Sequence, residues 1–281
     1  MDEQNIDILE RIHASYYQLT ATEKKVADFV LAQHDQIQFM SITQLAEVCG
    51  TAEATISRFC RSLKLKGFNA FKIELARHSA VGTKPQEQSM DTLTGRSQEV
   101  GRLSADAISQ TIELVEPKQV TKAVELFEKA PRVLCCGSGG SMLMAQEFAH
   151  LFSTVTSKFV AIGDCHMQMS AAATMGKDDV IVLFSYSGAT TSGIQLLELA
   201  KSRKIPTVLV TRFNKSPAAK LADVVLRCGS NEGPFQFGSV PAKVAQLIVM
   251  DALYQEYRYR NSEICEEYVQ NIASALSGMH V

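Results

Sequence analysis

Two loops in the second half of the chain combine glycine with hydroxyl side chains, a composition that suits the binding of a phosphate. Residues 137–141 (Gly-Ser-Gly-Gly-Ser) follow the apolar run Val133–Cys136, and residues 185–192 (Ser-Tyr-Ser-Gly-Ala-Thr-Thr-Ser) follow the apolar run Val180–Phe184. Glycine lets the backbone turn tightly and approach a ligand, and a helix that begins in such a loop offers free N–H groups to an anion. Hydroxyls around the glycine add further donors. The two loops therefore predict a ligand that carries a phosphate and several hydroxyls.

Other ligand chemistries fit these loops less well. A dinucleotide site of the G-x-G-x-x-G type lacks its third glycine, because Met142 occupies that position. Asp164 could contact a ribose, but it follows Gly137 by 27 residues and such spacing is a weak signal. The chain has no G-x-x-x-x-G-K-[ST] sequence for nucleotide hydrolysis, and Ser187 lacks the preceding glycine of a nucleophile elbow. A further alternative is that both loops are only small-residue turns.

The elements that must position these loops follow a strand–helix alternation that begins after Pro131. Continuous apolar strands between helices are typical of a parallel sheet covered on both faces, in which ligands bind at the carboxyl ends of the strands. The sequence therefore predicts an α/β domain with a doubly wound parallel sheet. The predicted strands are Val133–Cys136, Phe159–Ile162, Val180–Phe184, Thr207–Thr211 and Val224–Leu226, and the predicted helices include Met142–Thr154, Thr191–Arg203 and Val240–Tyr257.

The first 79 residues show only helical periodicity, and two of their predicted helices form a helix-turn-helix pattern. Thr20 and Ser41 each begin an S/T-x-x-E/Q capping box, and Thr51 is a third candidate cap. Gly50 supplies the turn between two short helices, with the small residue Ala46 at the expected crossing point. The apolar faces of the two helices are formed by Ile42, Leu45, Ala46 and Cys49 and by Ile56, Phe59, Cys60 and Leu63.

The second helix of this pattern carries side chains that can read DNA. Hydroxyl and guanidinium groups have the length and the donors needed to reach base edges and phosphates in a major groove. Residues 51–79 contain six basic and two acidic residues, whereas residues 1–50 contain three basic and eight acidic ones. This local positive charge favours phosphate contact, although an ordinary helical bundle with a solvated basic face remains the alternative. The predicted DNA contacts are Thr51, Thr55, Ser57, Arg58, Arg61, Lys64 and Lys66, with Ser62 on the same face.

Length and composition indicate two globular domains in a reducing compartment. The chain has 281 residues, a net charge of −2 and 46% hydrophobic residues, so each half can form a core. Its seven scattered cysteines predict small buried side chains and a cytoplasmic location, and the pattern favours neither a metal site nor a cofactor. No apolar stretch is long enough for a bilayer, so we expect no membrane partner. The predicted organisation is a DNA-binding domain in 1–79, a polar linker in 80–101 and the α/β domain in 102–281.

The whole chain resembles the RpiR family of transcriptional regulators, in which a helix-turn-helix domain precedes a sugar isomerase (SIS) domain. The resemblance extends from about Thr20 to about Tyr257 and depends on motifs in both halves. The matching residues are Leu19-Thr20, Glu23–Val30, Thr55–Phe59, Leu63, Lys66-Gly67-Phe68, Phe71-Lys72, Gly137, Gly139, Ser141, Ser185, Ser187-Gly188, Thr190, Ser216-Pro217, Ala222-Asp223 and Glu232.

The resemblance implies a function and a set of binding residues. In SIS domains the second loop holds the phosphate, which implies Ser185, Ser187 and Thr190 here, and the first loop faces the sugar or phosphate. The chain would be a regulator of sugar-metabolism genes whose operator binding is modulated by a phosphorylated sugar, acting as a homodimer or homotetramer. The implied effector-binding residues are Ser138, Gly139, Ser141, Ser185, Ser187, Gly188, Thr190 and Glu232.

The alternative function is a working phosphosugar isomerase. Aldose–ketose isomerisation needs a general base near C1 and C2 of the sugar, and Glu232 is the candidate with His166 as a possible partner. We expect instead that Glu232 hydrogen-bonds a ligand hydroxyl or caps a helix and that His166 packs behind the sheet, because a helix-turn-helix domain has no use in an isomerase. The segments Thr191–Gly193 and Gly233–Gly238 depart from the family pattern at the sugar end, which leaves the identity of the sugar open.

Overall fold

The computed structural model describes residues 7–82, 92–230 and 238–278, and these fall into two compact units that divide after residue 102. The first unit holds the described residues up to 102 with 238–239, and the second holds 103–230 with 240–278. Part of the predicted linker, residues 93–101, lies in a 22-residue helix, and residues 83–91 lie outside the described residues. The boundary at residue 79 and the linker therefore stay predictions.

The first unit is helical throughout its described part, as predicted. Its core contains the apolar faces of both helices of the helix-turn-helix pattern, and Phe59 contacts Phe71 edge-to-face with ring centroids 5.6 Å apart. The predicted face residues are buried except Ile42, which is half-buried. The helices are α1 (Ile8–Ser15), α2 (Ala21–Ile37), α3 (Ile42–Val48), α4 (Glu53–Ser62), α5 (Phe68–Gly82) and the start of α6 (Leu93–Leu114).

Two of the three predicted helix caps are confirmed. Thr20 and Ser41 each complete a capping box at the start of α2 and α3, respectively. The prediction of Thr51 as the cap of α4 is wrong, since Ala52 occupies the N-cap position. Thr51 instead donates its N–H to the carbonyl of Ala46 at 2.8 Å, because Gly50 turns the chain with a φ of +59°.

Asp7 links the start of α1 to the end of α5. Its Oδ1 accepts a hydrogen bond from the N–H of Leu9 at 2.8 Å, which caps α1, and its Oδ2 lies 2.6 Å from Nδ1 of His78. Although burial favours the neutral carboxyl, the hydrogen bonds with His78 and Leu9 hold the pKa of Asp7 below its usual value near 3.8.

The contact between Asp7 and His78 predicts a pH-dependent stability. A carboxyl whose pKa is lowered by folding stabilises the fold above its unfolded pKa, and this contribution is lost as the pH falls. We expect Asp7→Asn, which keeps a capping oxygen, to unfold at lower urea than the wild type at neutral pH and at the same urea below pH ~3. Circular dichroism measures both, with Asp178→Asn as the control for an exposed carboxyl. A difference that persists unchanged in acid would contradict the pairing.

The second unit contains a five-stranded sheet in which every strand pair is parallel, with the order β2-β1-β3-β4-β5. This is a doubly wound sheet, as predicted, and each predicted strand is found within one residue of its predicted ends. The strands are β1 (Val133–Gly137), β2 (Phe159–Ala161), β3 (Val180–Phe184), β4 (Thr207–Thr211) and β5 (Val224–Arg227), and the helices are the remainder of α6, α7 (Pro117–Lys129), α8 (Gly140–Ser153), α9 (Cys165–Thr174), α10 (Thr191–Arg203), α11 (Val240–Arg260) and α12 (Ser262–Leu276).

The sheet is buried on both faces. Side chains alternate along β1 so that Cys135 points into one core and Cys136 into the other. The first core is rich in aromatic rings, and Phe152 stacks on Phe159 with centroids 4.1 Å apart. Six of the seven cysteines are buried, as predicted, and burial raises the pKa of the Cys136 thiol to about 12. No described helix combines the length and the apolar character needed to cross a membrane.

Candidate ligand site and nucleic-acid interface

The two glycine-rich loops leave the sheet side by side. β1 pairs with β3 over its whole length, with Gly137 opposite Phe184, so the residues that follow each strand lie at the same edge. The strand order reverses direction between β1 and β3, which is where open α/β sheets bind their ligands. The structure thus brings the two predicted loops to the switch point of the sheet.

The loop after β1 is built around two glycines that no other residue could replace without strain. A Cβ on Gly137 would lie 2.6 Å from the carbonyl oxygen of Ser141, and Gly139 has a φ of +56° at the N-cap of α8. No side chain caps α8, and Gly139 is exposed while Ser138 and Ser141 are half-buried. The loop therefore presents backbone and two hydroxyls to the edge of the sheet.

The loop after β3 presents hydroxyls that have few partners within the protein. Ser185 is only 5% exposed, yet its Oγ makes no hydrogen bond with any described residue. Ser187 is exposed and its Oγ accepts a hydrogen bond from the N–H of Ala189 at 3.3 Å. Thr190 occupies the N-cap of α10 without a side-chain hydrogen bond to the helix. A buried hydroxyl without a partner is unusual in a folded protein, so Ser185 marks a place where a polar ligand would be stabilised.

Gly188 fixes the shape of this second loop. Its φ is +60°, and a Cβ at this position would lie 2.1 Å from Oγ of the fully buried Ser216. Its N–H donates to the carbonyl of Ser185 at 3.0 Å, and its carbonyl accepts from the N–H of Ala218 at 2.9 Å. The backbone of Gly188 is thus clamped between the strand end and the segment after β4.

Three further residues of the site were not predicted from the sequence. Ser138 Oγ lies 3.1 Å from Oγ of Ser192 and 3.3 Å from Sγ of Cys165, so it joins the helices that follow β2 and β3. Gln168 is buried, and its Nε2 donates to the carbonyls of Gly137 and Ile162 at 2.9 and 2.8 Å. Signals for Cys165 and Gln168 were hidden because α9 does not segregate apolar from polar residues.

The structure separates the remaining candidates from this cluster. Glu232, the proposed base, lies outside the described residues. His166 is exposed, so the prediction that it packs behind the sheet is wrong, because the helix α9 begins there and turns this side chain outward. Asp164 is the N-cap of α9, and its Oδ1 accepts a hydrogen bond from the N–H of Met167 at 2.9 Å. Among the described residues no group of His, Cys, Asp and Glu is arranged to hold a metal.

Gln168 gives a prediction about how the loop after β1 is held. Gln168→Ala removes the donor shared by two carbonyls and leaves them without that partner, which costs about 1–3 kcal/mol of stability. We expect a lower midpoint in urea unfolding than for the wild type. The exposed Gln195→Ala on α10 is the control and should change the midpoint by less than about 0.5 kcal/mol. Equal midpoints for both variants would show that Gln168 does not hold the loop.

The second candidate site is the exposed face of α4. Arg58, Arg61, Lys64 and Lys66 are exposed and Ser57 is half-buried, as expected for residues that approach DNA. The Arg61 and Lys66 side chains make no hydrogen bond or ion pair with another described residue, so their charges are available to a phosphate.

Two of the predicted DNA contacts are corrected by the structure. Thr55 is only 4% exposed, because it lies one turn before Phe59 and therefore shares the core face of α4. Its Oγ1 accepts a hydrogen bond from Nη2 of Arg58 at 3.3 Å. Thr51 Oγ1 is buried as well, in the turn between α3 and α4. These two hydroxyls do not point toward a groove.

Both halves of the chain match family models. The model for the helix-turn-helix domain of the rpiR family matches residues 6–82, and the model for the SIS domain matches residues 126–255. The two models together cover the candidate DNA interface and both loops of the candidate ligand site.

Full-length relatives and a solved structure share this organisation. An uncharacterised HTH-type transcriptional regulator of Caldanaerobacter subterraneus is 31% identical over 96% of this chain and 97% of its own. HexR, an HTH-type transcriptional regulator of Escherichia coli, is 26% identical over 96% of this chain and 94% of its own. The structure of Vibrio vulnificus NanR in complex with ManNAc-6P superposes with a TM-score of 0.88, covers 97% of this chain and 99% of that one, and is 26% identical.

Proposed function

The chain belongs to the RpiR family of transcriptional regulators, and from this premise we propose that a phosphorylated sugar binds at the β1–β3 edge and modulates operator binding by α4. The protein is a transcriptional regulator with a helix-turn-helix domain and a SIS domain. The identity of the sugar and the sign of its effect are what the experiments below determine.

The observation that carries this proposal is the buried hydroxyl of Ser185, which no described residue satisfies. It lies in a loop with two more hydroxyls and with the uncapped start of α10, whose N–H groups favour an anion. A phosphate oxygen would accept the hydrogen bond that Ser185 lacks. The likeness to NanR, which was solved with a sugar phosphate, supports the same ligand class.

We propose that the chain binds this ligand without converting it. The described residues of the two loops offer hydroxyls and backbone N–H groups, which hold an anion but do not abstract a proton from carbon. A direct assay tests this point: aldose and ketose phosphates incubated with the protein are expected to remain unchanged. Interconversion that Glu232→Gln abolishes would establish the isomerase alternative.

Operator recognition in this proposal uses two copies of α4. A homodimer or homotetramer would present two recognition helices to half-sites one helical turn apart, roughly 34 Å, or a multiple of it. Binding of the sugar phosphate would change the spacing of these helices, and the two ligands must then influence each other reciprocally.

The ligand class is tested by a thermal-shift screen of the full chain. The panel holds ManNAc-6P and a set of hexose and pentose phosphates, with the parent sugars and inorganic phosphate as controls. A ligand present at a hundred times its Kd stabilises the folded state by about 2.7 kcal/mol. We expect at least one sugar phosphate to raise Tm where its parent sugar and phosphate do not, and Ser185→Ala or Ser187→Ala to remove the shift. No shift across the panel would overturn the proposed ligand class.

A further inference from the structure

A buried carboxylate in the first unit lies beside the recognition helix. Glu23 is only 6% exposed and sits in the first turn of α2, which packs against α4. Its Oε2 accepts hydrogen bonds from the N–H and the hydroxyl of Thr20 at 2.9 and 2.7 Å, which completes the capping box. Its Oε1 accepts from Oγ of Ser62 at 3.1 Å, 39 residues away on α4. One carboxylate therefore serves both a helix start and the recognition helix.

The side of α4 that faces Glu23 carries an arginine predicted to contact DNA. Thr55, Arg58 and Ser62 follow one another at spacings of three and four residues and form one stripe along the helix. Arg58 Nη2 donates to Oγ1 of Thr55 at 3.3 Å, and Ser62 Oγ lies 3.2 Å from the carbonyl of Arg58. The guanidinium thus has a buried neighbour on its own helix and a carboxylate on α2.

The charge of Arg58 acts on Glu23. Burial favours the neutral carboxyl, but hydrogen bonds from Thr20 and Ser62 and the nearby positive charge of Arg58 hold the pKa of Glu23 below its usual value near 4.5. The carboxylate is therefore ionised at neutral pH and attracts the guanidinium in turn. Arg61, one turn further along α4, has no such partner among the described residues.

We propose that Glu23 is a positioning residue for DNA recognition: it orients Arg58 and Ser62 on α4 before DNA arrives. This inference rests on the proposed function, since it assumes that α4 reads the operator. An arginine held in one conformation loses less side-chain entropy when it binds, which raises affinity without a new contact. The competing explanation is that Glu23 only caps α2 and packs between helices.

A double-mutant cycle on operator binding separates these explanations. The probe is a duplex selected by the wild-type chain from a random-sequence pool, and Kd is measured by fluorescence anisotropy for the full chain. The cycles pair Glu23→Gln with Arg58→Ala and, as a matched control, with Arg61→Ala. Thr20→Ala is the stability control, because it removes the cap of α2 and leaves the carboxylate beside Arg58. Circular dichroism and Tm verify that each variant is folded.

We expect Glu23→Gln to weaken binding about tenfold in the wild-type background and less than about twofold when Arg58 is already alanine. The same change is expected to keep its full effect with Arg61→Ala, and Thr20→Ala to lower Tm with Kd within about twofold of wild type. If Glu23→Gln acts equally in both backgrounds, or if Thr20→Ala weakens binding as much, Glu23 has a structural role and the inference fails alone. If the pool yields no selected duplex and Arg61→Ala changes nothing, the proposed function fails with it.

Discussion

Gly188→Ala is expected to abolish binding of the sugar phosphate. The new Cβ would lie 2.1 Å from Oγ and 2.6 Å from Cβ of Ser216, which is fully buried and has no free space to move into. The φ of +60° adds strain of about 1–3 kcal/mol for a residue with a side chain. The loop must therefore leave its position and take the donors of Ser185 and Ser187 with it. Isothermal calorimetry is expected to show a loss of affinity of roughly a hundredfold or more, about 2.7 kcal/mol.

A second glycine of the same unit gives the matched control for Gly188→Ala. A Cβ on Gly176 would meet no atom within 4 Å, and its φ is outside the left-handed region. Gly176→Ala is therefore expected to bind the sugar phosphate like the wild type. If Gly188→Ala binds with unchanged affinity while remaining folded, the loop after β3 is not the phosphate site.

Arg61→Ala is expected to weaken operator binding by about 1–3 kcal/mol, or roughly 5–150-fold. The side chain is exposed on α4 and makes no hydrogen bond or ion pair with another described residue, so no internal contact has to be broken before it meets DNA. A contact with a base edge would also relax the preference at one position of the operator. A contact with a phosphate would weaken all sequences equally and reduce the salt dependence by about one counterion.

Lys25→Ala is the control for the loss of one positive charge. Lys25 is exposed on α2 in the same unit, outside the recognition helix. We expect its removal to change operator Kd by less than about twofold at physiological salt. Both variants are measured by anisotropy over a range of salt concentrations. Equal losses for Arg61→Ala and Lys25→Ala would mean that α4 contributes only to the overall charge of the unit.

The sheet and its ligand edge could be predicted because they depend on local signals. Apolar runs such as Val180–Phe184 are buried on both faces, so their whole length is visible in the sequence, and the loops that follow them carry glycine and hydroxyls. The capping boxes at Thr20 and Ser41 were predictable for the same reason, since partner and cap lie three residues apart.

The features that the sequence did not predict depend on contacts between distant residues. Thr55 was placed on the exposed face of α4 because it is polar, whereas the packing of the helices buries it. The contacts of Gln168 with the loop after β1 join residues 31 apart, and the contact of Glu23 with Ser62 joins residues 39 apart. No periodicity records such pairs, because periodicity describes one element at a time.

The coupling of the two sites is tested most directly by measuring operator Kd with and without the sugar phosphate found in the thermal-shift screen. The full chain is titrated into the selected duplex at zero and at saturating ligand. We predict that the ligand changes Kd by about 5–150-fold in one direction, and that saturating duplex changes the affinity for the ligand by the same factor. An operator Kd that is the same at zero and saturating sugar phosphate would contradict the account.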